Sequence, residues 1–275
     1  MKEEFLSLIN SENGDTFTQS LDSDFMLIMG FMPSREEKLL KSLTSDKNIV
    51  YLSVIEDKEM ANISKLQSRY EAGSEEGVLA ILAKELFLDK NIDKNTQKFF
   101  KNLDDGYISA ESNIGEEELE EIRELYISAK KPLFVLGNDF YTHPRKRNIA
   151  KIINLFTKYG NFKIYNESDI ESIKPDEDTY VLQDVAELES FDGSVVYACP
   201  LINRDEEEQL IGSAQFMLAA KLQDGDEVFV ITENAEYQRK FVLDRELKGT
   251  VALLPSANGD ESYYYKIAKI IKRES

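Results

Sequence analysis

KKPLFVLGNDFYTHPRKRNIAKIINLFTKY, residues 130–159, changes its hydrophobic period part-way along, and that change decides the fold. PLFVLG (132–137) is short and almost continuously apolar, the pattern of a strand buried on both faces. Ile149, Ile152, Ile153 and Phe156 then recur at helical spacing, so a strand passes through a loop into a helix. Pro144 suits the first helical turn, where its missing N–H costs nothing. Thr142 or His143 can cap just before it, and Gly160 follows the last apolar position as a stop. The stretch is also basic. Continued to Lys163, it holds eight Lys and Arg residues against Asp139 alone, a local charge of +7 in a chain whose formal charge is −19.

The same pattern extends outward. FMLIMG (25–30) and IVYLSV (49–54) are apolar runs of strand length, and Leu39, Leu40 and Leu43 supply a helix over 35–43 between them, which completes a β-α-β unit. Ser74 precedes a helix with Glu75 and Glu76 in its first turn and Val78, Leu79, Leu82 and Leu86 as its buried stripe. DDGYISAESNIGEEE, from Asp104, has no regular period and reads as an ordered loop. Glu116, Glu117, Glu118, Glu120 and Glu121 form a solvated helix face opposite Leu119, Ile122, Leu125 and Tyr126. Strands are expected at 162–165, 179–185 and 194–198, with the acidic segment 169–178 as a surface crossover. Beyond Cys199 the texture changes to a helix at 215–222, short strands at 227–232, 240–243 and 250–254, and a closing helix at 263–271. The expectation is an α/β protein. A doubly wound, mostly parallel sheet occupies residues 1–195, and a smaller β-barrel-like domain occupies 196–275.

Composition narrows the functional classes. A 275-residue chain with 42% hydrophobic and 10% aromatic residues can fill one large core or two smaller ones. Its net charge of −19 opposes general binding to nucleic acid or to anionic membranes and favours basic partners. One cysteine, Cys199, excludes an internal disulfide framework and any multi-cysteine zinc or iron–sulfur site within the chain. No apolar run of about 18 residues occurs, and the N-terminal stretch lacks a signal core, so a cytoplasmic protein without direct membrane insertion is expected.

Few residues invite chemistry. His143 is the only histidine, which rules out a His-pair metal site, and no Gly-x-Ser-x-Gly elbow, Gly-x-Gly-x-x-Gly turn or P-loop is present. Cys199 follows an apolar run and precedes Pro200, the setting of a buried, inert thiol. The nearby Asp205 and glutamates are hard ligands poorly matched to a thiolate. No catalytic, cofactor or metal residue is therefore assigned. The candidate site is His143, Arg145, Lys146 and Arg147, at a helix start where three consecutive cations face the positive end of the dipole. They are expected to form an exposed patch that docks an acidic surface or an anion and adds little to stability.

RYEAGSEEGVLAILAKELF (69–87), DDGYISAESNIGEEELEEI (104–122) and FVLGNDFYTHPRKRNIAKI (134–152) resemble, in the same order, the C-terminal molybdopterin-oxidoreductase-like part of the G subunit of bacterial NADH-quinone oxidoreductase, respiratory complex I. DGDEVFVIT (224–232) and VLDRELKGTVALLP (242–255) look like the small β-barrel that ends molybdopterin oxidoreductases. The family holds iron–sulfur clusters through many cysteines of an N-terminal region that has no counterpart here, and Cys199 alone cannot replace them, so what the resemblance leaves is a non-catalytic accessory subunit expected to carry no cluster or cofactor of its own. Its partners would be the other subunits of a complex I-type assembly, at the inner face of the cell membrane. The alternative it leaves open is an oxidoreductase component that keeps a pterin or nucleotide at the carboxyl edge of the sheet.

Overall fold

The computed structural model describes residues 2–9, 16–167, 180–256 and 262–273. These divide into two compact units. The first holds Met1–Phe31, Lys41–Val54 and Met60–Glu189, and the second Met32–Leu40, Ile55–Glu59 and Ser190–Ser275. The passage from one unit to the other thus falls at Ser190, a few residues ahead of the expected 195/196 division, and two earlier segments join the second unit.

Up to Tyr165 the elements are α1 (Lys2–Ile9), β1 (Phe17–Thr18), β2 (Phe25–Met29), α2 (Glu37–Leu40), β3 (Asn48–Ser53), α3 (Lys58–Ala61), β4 (Leu66–Arg69) and α4 (Glu75–Phe87). They continue with α5 (Lys94–Asn102), α6 (Asp105–Ser112), α7 (Glu116–Ile127), β5 (Pro132–Leu136), α8 (Asn138–Thr142), α9 (Lys146–Gly160) and β6 (Lys163–Tyr165). Six described strands form one sheet in the order β1-β6-β5-β2-β3-β4, with every pairing parallel. From β2 the chain winds outward to β3 and β4. It then crosses to β5 and winds the other way to β6, so the direction reverses between β2 and β5. Every residue of β2 and β5 is buried, as the continuous apolar runs require for strands covered on both faces.

Aromatic side chains lock helices to this sheet. Phe87 of α4 meets Phe156 of α9 edge to face at 5.2 Å. Tyr126 of α7 stacks on Phe162 at 5.4 Å, and Phe25 of β2 lies against both at 5.7 and 5.9 Å. Such pairs contribute roughly 0.5–1.5 kcal/mol each beyond the area they bury.

Three local expectations fail. The segment read as a loop from Asp104 is the helix α6: the Asp104 side chain accepts from the Tyr107 N–H, and Asn113 in the left-handed region ends it. Residues 35–43 hold only a 3-10 turn, Pro33–Arg35, and the four-residue α2, because Pro33 opens a tight turn closed by the Glu36 N–H on the Pro33 carbonyl. The strand expected at 179–185 is irregular chain without sheet partners over its described residues 180–185. The acidic crossover at 169–178 lies outside the described residues.

Asp93 anchors α5. Its carboxylate accepts from the Asn95 and Thr96 N–H groups, the Tyr159 hydroxyl and the Lys158 ammonium. The Tyr159 hydrogen bond, followed by that of Thr96, holds the carboxyl well below the usual carboxylate range. A depressed folded pKa stabilises above the unfolded carboxylate pKa of about 4, and that stability is lost as pH falls through the lower folded value. Asp93→Ala should cost about 1–2 kcal/mol at neutral pH. In urea titrations the difference from wild type should shrink as pH falls below about 4.

The second unit is built on β7 (Val195–Pro200), β8 (Gln209–Gly212), α10 (Ala214–Ala219), β9 (Glu227–Ile231), β10 (Glu236–Leu243), β11 (Val251–Ser256), β12 (Tyr265–Ile267) and β13 (Lys269–Lys272). The strands form a mixed sheet in the order β12-β7-β11-β8-β10-β9-β13, curled into a half-barrel. Its core gathers Val196, Leu210, Phe216, Val228, Val230, Phe241 and Leu254. Cys199 of β7 is buried. The closing helix expected at 263–271 is instead β12 and β13. Tyr265 stacks on Tyr197 of β7 at 4.7 Å, and the tyrosine- and isoleucine-rich sequence favours a pleated surface. Among the described residues, no helix is long and apolar enough to cross a membrane.

Candidate functional site

Open α/β sheets take ligands outside the carboxyl ends of their strands, where the winding reverses. Here that point lies beyond Met29 of β2 and Leu136 of β5, where the two strand ends approach each other closely. Gly137 donates its N–H to the Met29 carbonyl at 2.9 Å, and Asp139 donates to the Gly30 carbonyl at 3.1 Å. The two glycines touch so closely that a Cβ on Gly137 would lie 1.9 Å from the Gly30 oxygen and 2.6 Å from the Phe31 ring. The fully buried Phe140 ring covers Gly30, whose φ of +87° suits only glycine; a Cβ there would meet the ring at 2.8 Å. Tyr51 donates its hydroxyl to the Phe31 carbonyl at 3.0 Å.

Beside this plug lies a buried polar cluster on the first turn of α4. Glu75 and Glu76 occupy that turn, where the helix dipole favours carboxylates, and are 0% and 2% exposed. Glu76 is a hub. It accepts from Arg145 Nε with both oxygens at 3.1 Å, from Arg145 Nη2 at 3.0 Å, from Asn148 Nδ2 at 2.5 Å and from the Ala186 N–H at 3.3 Å. Asn148 also exchanges two hydrogen bonds with the Gln183 backbone, at 2.7 and 3.0 Å. The hub therefore ties the extended segment 183–186 to α4 and α9. His143 accepts the Arg145 N–H with Nδ1 at 2.9 Å, which places a neutral ring's hydrogen on Nε2, 3.4 Å from Glu75. Burial first, then the Glu75 and Asp139 carboxylates and Tyr51, push the Tyr70 phenol well up, so it stays neutral.

The four residues singled out in the sequence do not form one exposed patch. His143 is buried and caps from within, and Arg145 turns inward to Glu76. Lys146 pairs with Glu4 of α1 at 2.9 Å, and that hydrogen bond, with the nearby charge of Arg147, holds the Glu4 carboxyl below its usual range. Arg147 is exposed. Arg145 is therefore expected to add to stability, against the sequence reading, because a guanidinium can reach back across the fold to a buried carboxylate 69 residues away.

Glu76 and Asn148 were missed as site residues, although one signal for Glu76 was available. At helical spacing Glu76 falls in line with Leu79, Ala83 and Leu86, all buried, so it belongs to the inward face of a helix that is nearly all apolar. Asn148 falls likewise in line with the buried Ile152 and Leu155 of α9, so the same signal was there. Among the described residues, no group of three His, Cys, Asp or Glu side chains is placed to hold a metal. What the arrangement does is join elements: it fastens α4, α9 and the segment after Tyr180 over a closed sheet edge.

No family model matches the chain, and no curated protein matches it. Among solved structures, acetylene hydratase from Pelobacter acetylenicus aligns with a TM-score of 0.43 and 11% sequence identity, over 56% of this chain and 24% of that one. This chain thus spans about a quarter of that protein's length.

Proposed function

We propose that this chain is a non-catalytic structural subunit of a respiratory NADH-quinone-oxidoreductase-type assembly. It would be held at the inner face of the membrane through its partner subunits. The reading comes from the likeness of residues 69–87, 104–122 and 134–152 to the C-terminal part of the G subunit. The observation that supports a scaffold over a pterin- or nucleotide-binding component is the sealed reversal point of the sheet. Gly30, Gly137 and Phe140 pack closely on one another at the strand ends, which argues against a ligand lying between them. The buried Glu76 carboxylate beside it is engaged by Arg145 and Asn148, as in a positioning network.

Affinity purification of the tagged chain from its native host, with the membranes solubilised mildly, tests the reading. The expected result is recovery of NADH-quinone-oxidoreductase-type subunits in fixed ratio to the chain. Recovery of the chain without them, at tag levels that leave its growth phenotype intact, would contradict it.

A further inference from the structure

The second unit carries a groove of about 340 Å³ that the proposed scaffold role does not use. Its floor is made by Met32, Ile211, Leu247 and Leu253, all buried, and Ile202 stands 60% exposed at its mouth. Its rim is acidic. Glu56, Asp57, Glu59, Glu206, Asp244 and Glu246 line it against Arg35 and Lys58, so six carboxylates against two cations leave an excess of four negative charges.

Several of these charges are fixed by the fold. Arg35 is buried against Glu206 at 2.6 Å and the Pro200 carbonyl at 3.1 Å, while Asp57 accepts the Ser34 and Glu59 N–H groups at 2.8 and 3.1 Å. Lys248 engages Glu56 at 2.7 Å from outside the groove. The outer rim is less committed. Lys58 bonds Glu246 and also feels Asp244 and Glu59, one ammonium among three carboxylates. An apolar floor, an exposed aliphatic side chain at the mouth and a surplus of negative charge call for a ligand that is cationic outside and aliphatic inside.

We infer that this groove binds a short basic segment of a partner protein, seating one aliphatic side chain on the Met32, Ile211, Leu247 and Leu253 floor while flanking lysines or arginines meet the carboxylate rim. The chain's net charge of −19 would draw such a segment in from solution. The inference does not depend on which assembly the chain serves.

A methyl NMR titration of the full chain with the capped peptide acetyl-KLRLK-amide tests it. The expected result is saturable shifts of the Ile202, Ile211, Leu247 and Leu253 methyls, with binding that weakens as salt is added. Ile202→Ser, and separately Glu59→Lys with Glu246→Lys, should each weaken binding about tenfold. Both changes are at exposed positions, so the fold should survive, and unchanged methyl signals of the second unit's core residues Val196, Leu210, Val228 and Leu254 would report it. Three results would overturn the inference: no methyl shift up to millimolar peptide, equal binding of acetyl-ELELE-amide, or full affinity in the charge-reversed variant.

Discussion

Gly137→Ala should be the most damaging small substitution in the first unit. It is expected to cost about 3 kcal/mol or more and to lower the melting temperature of that unit by roughly 6–12 °C. The added Cβ would meet a backbone carbonyl, Gly30 O at 1.9 Å, and not the yielding end of a side chain. β2 and β5 are adjacent strands of a sheet buried on both faces, so neither can step aside without opening the ladder that joins Met29 to Leu136. Gly106→Ala is the matching control. Gly106 lies in α6 with only Asp104 Oδ1 at 3.7 Å from the new Cβ, so alanine there should be neutral or stabilising by up to about 1 kcal/mol. Thermal unfolding of the two variants separates a close backbone approach from a general intolerance of glycine replacement.

Arg145→Ala comes second, at about 3 kcal/mol. Removing the guanidinium leaves the Glu76 carboxylate buried with only Asn148 and the Ala186 N–H, and a buried charge that loses its partner costs far more than an exposed pair contributes. Lys146→Ala and Arg147→Ala should each change stability by less than about 0.5 kcal/mol. Combining Arg145→Ala with Glu76→Gln should recover part of the loss, because no unpaired charge then remains. A double-mutant cycle in urea reads that coupling directly, and additive costs would place the Arg145 effect elsewhere.

The sheet was legible because its signal is local. The runs at 25–30, 49–54 and 132–137 are too apolar to face water, and the spacing from Ile149 to Phe156 admits only one face of a helix. α6 was illegible because Gly106 and a series of small polar residues hide a helix that buries only Ile108 and Ser112, and its evidence is a cap and a left-handed stop. The last strands were misread because Tyr264, Ile267, Ala268 and Ile271 fall at helical spacing, and the strand shows only once Tyr197 supplies a partner. The site was half legible. His143 and Arg145 stood out by type, but their partners Glu75 and Glu76 lie about 70 residues away and meet them only because β5 lands beside β2. Periodicity can mark Glu76 as inward-facing, but which partner it meets across a winding reversal is not written in either segment.

The central claim is that the chain's own residues close the ligand position of this sheet. Native mass spectrometry of the protein purified from its host without chelators tests this most directly. The account predicts a mass equal to that of the polypeptide alone. A stoichiometric pterin, nucleotide, flavin or molybdenum adduct, released on denaturation, would contradict it.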